Sequence, residues 1–135
     1  MRSRYAAFAL GLGRYLVDTL ARTHADRARP AAELERELGA ARFSQRFMGL
    51  RILDARSEDT QGEVLFHARI FVGGRERSFV ELSRFVREEE GWRYESGRLL
   101  PASAVGDALP SLDRDAFLAL SGEQAPGGPT DGSLP

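Results

Sequence analysis

The sequence predicts an α+β fold in which N-terminal helices pack on a curved antiparallel β-sheet. Two observations carry the prediction. Apolar residues recur at helical spacing through about residue 40, and from Phe43 to Gly97 the period changes to two. Helices followed by a meander of strands, without a helix between each pair, is the pattern of a layered α+β domain rather than of a parallel α/β sheet.

The elements follow in order. Met1, Tyr5, Phe8 and Leu12 form one apolar stripe, and Tyr15, Leu16, Thr19 and Leu20 form another, with Gly11 and Gly13 placing a bend between two helices. Pro30 opens a third helix over AAELEREL that ends at Gly39, since proline suits a first helical turn and lacks the donor an interior turn needs. Strands are expected at about 46–55, 63–73, 77–88 and 91–96, with Gly73-Gly74 as a tight hairpin turn. Beyond Pro101 the sequence predicts less order, with SLDRDAFLALSG forming one short helix and QAPGGPTDGSLP disordered. The domain boundaries are therefore 1–97 for the helix-and-sheet unit, 98–122 for a C-terminal extension and 123–135 for a disordered tail.

At 135 residues the chain builds one core and has no room for a second domain of usual size. A formal net charge of −1 argues against nonspecific nucleic-acid binding. All 19 basic residues are arginines, which with the abundant Ala and Gly reads as the codon bias of a GC-rich bacterial genome. No apolar run reaches the length of about 20 residues needed to cross a bilayer, and Arg14 and Asp18 interrupt the first apolar segment, so a cytoplasmic protein without an export signal or membrane contact is expected. With no cysteine and only His24 and His67, thiolate metal sites, disulfides and cysteine nucleophiles are excluded, and neither a metal nor a cofactor is expected.

Four strings together resemble one family. MRSRYAAFALG at the start, FMGLRIL at Phe47–Leu53, GEVLFHARIF at Gly62–Phe71 and ELSRFVREEEGWRYESG at Glu81–Gly97 are similar, in order and spacing, to the central domain of YchJ-like proteins. The resemblance covers about residues 1–97 and implies a nuclear-transport-factor-2-like cone. It also implies departures. The family's Cys-rich SEC-C zinc motifs have no counterpart here, Leu20-Ala21-Arg22 stands where relatives often have Trp-His-Pro, and Val80 stands where they have a histidine.

Strand periodicity assigns faces. If Phe79, Glu81, Ser83 and Phe85 face the helices, pairing brings Val64, Phe66, Ala68 and Ile70 to the same concave side, and His67 falls outside with Leu65, Arg69 and Phe71. Glu81 and Ser83 are then polar groups in an apolar cup walled by Phe66, Phe79, Phe85, Trp92 and Tyr94. A buried carboxylate must be paired or protonated. The expected partners are Arg4, aided by Arg2, with Tyr5 as a hydrogen-bond donor and Ser83 serving a backbone group. The cluster is read first as a structural lock in a noncatalytic binding or protein-interaction module. The alternative is a small-molecule-binding protein or an isomerase or dehydratase of the cone fold with Glu81 as acid/base. The outer face, with Leu65, Phe71, Val80, Leu82 and Val86, needs a cover. The segment Leu99–Leu120 is one candidate, and a second copy of the chain in a homodimer is the other.

Overall fold

The computed structural model describes residues 1–124. Four α-helices, α1 (Arg2–Leu10), α2 (Gly13–Asp18), α3 (Ala31–Gly39) and α4 (Ala41–Ser44), precede the strands β1 (Gln45–Ser57), β2 (Gln61–Val72), β3 (Arg75–Glu76), β4 (Phe79–Glu88) and β5 (Gly91–Pro101). The described residues end in α5 (Ala102–Val105), a 3₁₀ turn and α6 (Arg114–Gln124). All named strands pair antiparallel in the order β1-β2-β4-β5, with the short β3 also on β2. The expected α+β class is the observed one.

The bend between α1 and α2 arises where the glycines predict it. Gly11 takes a left-handed φ of 72° and closes α1, with Leu12 N–H donating to the Ala7 carbonyl at 2.8 Å. Gly13 lies where α2 meets α3, and a Cβ there would overlap the Glu35 carbonyl oxygen, so only glycine permits that approach. Leu16 and Leu20 of the second stripe are buried, whereas Leu12 and Tyr15 are exposed. α2 is only six residues long, too short to bury both sides of its stripe.

Alternation on β4 is as the sequence predicts. Ser83 pairs with Val64, Glu81 with Phe66 and Phe79 with Ala68, and all six of these side chains share the concave side with the helices. Two core clusters fill that side. One joins Ala7, Phe8, Leu16, Leu20, Leu34 and Leu38 to Phe85 and Tyr94, and the other gathers Phe66, Ala68, Ile70 and Phe79.

β5 departs from simple alternation. Arg84 pairs with Ser96 while Phe85 pairs with Tyr94, which leaves Glu95 as an extra residue in a bulge. Its carboxylate is held by Arg84 at 3.4 Å and by the Thr23 hydroxyl at 3.0 Å. The bulge changes the phase of the strand, so that Trp92 and Tyr94 on one side of it and Gly97 and Leu99 on the other all meet the concave positions of β4.

The C-terminal segment is more ordered than its composition suggests. β5 continues to Pro101 and two α-helices follow, where one short helix was expected. Val105, Leu112 and Phe117 are buried against Leu65, Val80, Leu82 and Leu100, with Leu109, Leu118 and Leu120 around them. The chain's own tail therefore covers the outer face. Phe71 and Val86 stand apart from this cluster, half-buried at opposite ends of the sheet. The disordered tail expected at 123–135 lies outside the described residues from 125 onward.

Candidate functional site

The floor of the cup is a carboxyl group sealed by its own sheet. Glu81 is 1% exposed. Its Oε2 accepts hydrogen bonds from the Ser83 hydroxyl and from the Tyr94 hydroxyl, the latter at 2.6 Å. Gly97, opposite Ser83 on β5, leaves the space in which these groups meet, since a Cβ there would lie 2.5 Å from the Tyr94 oxygen. Burial pushes the Glu81 carboxyl up to about 7, and the hydrogen bonds from Ser83 and Tyr94 together with the Arg4 charge pull against that rise. The Tyr94 phenol is itself pushed up, by burial and by the adjacent carboxyl.

Arg4 does not reach Glu81. The guanidinium lies on the face of the Tyr94 ring, 4.7 Å from its centroid, while the tyrosine hydroxyl at the other end of that ring contacts the acid. Its Nη1 donates to the Leu16 carbonyl at 2.8 Å and to the Thr19 hydroxyl, which ties α1 to α2. The expected ion pair is thus replaced by an aromatic spacer, because α2 offers the guanidinium nearer oxygens. Tyr5 is also directed elsewhere. Its oxygen accepts the Gly49 N–H at 2.8 Å, and its ring meets Phe47 edge-on at 5.5 Å. Arg2 is exposed, and Ser83 serves the Glu81 side chain rather than a backbone group.

The aromatic wall separates into two parts. Phe66 and Phe79 pack edge to face with ring centroids 6.1 Å apart and fill one end of the cup. At the other end a cavity of about 490 Å³ remains, lined by Met1, Arg4, Tyr15, Val64, Phe85 and Trp92, among others. Glu81 and Tyr94 are not in its lining. Trp92 stands at the rim, 41% exposed. A larger hollow of about 760 Å³ lies between α4 and the β2–β3 hairpin, bordered by Arg42, Phe43 and Met48, and it contains no carboxylate.

His24 is the residue that sequence reasoning missed. It is buried, its Nδ1 accepts the Asp26 N–H at 3.0 Å, and its ring lies 6.0 Å from that of Tyr94. A histidine thus lies against the aromatic interior, at a position that the strand pattern does not reach. The signal available was the turn itself, in which a histidine two residues before an aspartate caps a short 3₁₀ segment. His67 is half-buried opposite Val80, on the outer side as expected. Among the described residues no three His, Asp or Glu side chains converge as a metal site, and no helix is long and apolar enough to cross a membrane.

Comparison with known proteins gives concordant results. The sequence profile described as the YchJ middle NTF2-like domain matches residues 1–97. A UPF0225 protein of Chromobacterium violaceum is 42% identical over 100 residues, which cover 72% of this chain and 69% of that protein. The solution structure of a SEC-C motif containing protein from Rhodopseudomonas palustris superposes with a TM-score of 0.62 at 33% identity, covering 73% of each chain. A domain of unknown function with a cystatin-like fold from Nostoc punctiforme covers 92% of this chain and 89% of its own, with a TM-score of 0.58 at 16% identity, a likeness of fold alone.

Proposed function

The chain belongs to the YchJ family through its middle NTF2-like domain, and from that premise we propose that it is a noncatalytic binding module whose ligand enters the mouth of the cup. The observation that carries the reading is the 490 Å³ cavity with Arg4, Phe85 and Trp92 in its wall. That volume is in the range of small-molecule sites, and its lining mixes apolar side chains with polar ones, Ser3, Thr19, Arg56, Ser57 and Glu63 beside Arg4. What favours binding over catalysis is the position of Glu81, whose carboxyl burial brings up to about 7. Glu81 is roofed by Tyr94 and absent from the cavity lining, and a general acid or base must come within hydrogen-bond reach of the atom it serves.

A thermal-shift screen of small molecules against the purified protein tests this, because a ligand bound to the folded state raises its stability. Hits should lose their effect in W92A, which opens the rim. A screen without hits, or hits indifferent to W92A, argues against the site.

A further inference from the structure

We infer that the ligand of the cup is a carboxylic acid on a flat apolar body, with its carboxylate held by Arg4; this names the ligand class for the site proposed above and rests on that proposal. Arg4 is 3% exposed, yet it has no ion-pair partner among the described residues, and its Nε has no hydrogen-bond partner there. A buried guanidinium is costly unless its charge and its donors are met. The Leu16 carbonyl, the Thr19 hydroxyl and the Tyr94 ring meet part of that demand. Burial draws the Arg4 proton affinity down to about 10, the direction expected of an under-compensated cation.

Of the other charges at the cavity, the negative one is already paired. Arg56 lines it and forms no ion pair among the described residues, while Glu63, its acidic neighbour, is taken up by Arg114 at 2.6 Å. Glu81, beyond the Tyr94 ring, is already occupied by Ser83 and Tyr94. A carboxylate entering from the mouth supplies the missing negative charge beside Arg4. The remaining wall selects the rest of the molecule. Met1, Val64, Phe85 and Trp92 present apolar and aromatic surface that a bare oxyanion would leave unused.

Calorimetric titration of the wild-type protein with cinnamate, cinnamide and inorganic phosphate tests the assignment. Cinnamate should bind at least tenfold more tightly than the amide and than phosphate. W92A should weaken acid and amide alike, and R4Q should reduce the acid to the affinity of the amide. Because Arg4 also joins α1 to α2, failure of R4Q to fold leaves the wild-type ratio to decide alone. Equal affinities for acid and amide overturn the carboxylate assignment and leave the binding module standing. Phosphate binding as tightly as cinnamate overturns the flat apolar body. Absence of binding by acid and amide together overturns both the ligand class and the module.

Discussion

Replacing Glu81 by glutamine should flatten the pH dependence of stability around neutrality. In the folded protein the carboxyl is pushed up to about 7, against an ordinary value of 4.5. The folded state therefore holds this proton more tightly than the unfolded chain does. Its contribution is fully present below the unfolded value and is lost as pH rises through about 7. The gap between the two values corresponds to about 3 kcal/mol above both, as an order of magnitude. Glutamine carries no such titration and keeps an oxygen to accept from Ser83 and Tyr94. E81Q should therefore gain on the wild type by about 2–3 kcal/mol between roughly pH 5 and pH 8. Urea unfolding followed by far-ultraviolet circular dichroism at several pH values gives both curves, and their difference isolates Glu81. The subtraction matters because His67, whose imidazole is held below its ordinary value by burial and then by Arg69, acts in the opposite sense and loses stability as pH falls. A difference that is flat, or that favours the wild type increasingly as pH rises, would refute the reasoning. The latter result would mean that Glu81 is stabilised as an anion and paired with Arg4 after all.

Three further outcomes follow from the geometry. Gly97→Ala should cost about 2–3 kcal/mol in the same unfolding assay, since the added methyl overlaps Glu81 and Tyr94 in a packed interior; a near-neutral result would mean that the cluster has slack. Gly97 is not among the positive-φ glycines, so that cost is steric and not conformational. Ending the chain after Pro101 removes Val105, Leu112 and Phe117 from Leu65, Val80 and Leu82, and the shortened protein should self-associate in analytical ultracentrifugation; an unchanged monomer would show that the outer face needs no cover. Treatment with a chelator should leave the melting temperature where it was, and loss of the fold would reveal a structural metal.

Much of this architecture was legible because the strand period is strict where one face is buried. Phe79, Glu81, Ser83 and Phe85 fall on the concave side as their spacing predicts, and Gly73-Gly74 makes the hairpin, with φ of 58° and 78°. What could not be read was which donor would reach Glu81. Pairing rules set neighbours across a ladder, but Tyr94 lies opposite Phe85 and reaches Glu81 along the strand, over the space left at Gly97. Charge alone points Arg4 at the acid, whereas the Leu16 carbonyl and the Tyr94 ring compete for it at close range. The order of the C-terminal segment was hidden by its Gly and Pro content, because short helices stabilised by tertiary contacts carry weak local signals.

The Glu95 bulge makes β5 sensitive to register in a way it is not sensitive to residue type. Drawing Glu95 into the ladder opposite Phe85 would turn Trp92 and Tyr94 to the opposite side of the sheet, stripping the cup of its rim and Glu81 of a donor while every residue kept its identity, whereas deleting Glu95 would leave both on the concave side. Conversely, the segments on either side of the bulge keep separate registers. Exchanges around Trp92 can reshape the entrance without rephasing Gly97 and Leu99, so a lineage could retune what the mouth admits while its sealed acid stays unaltered.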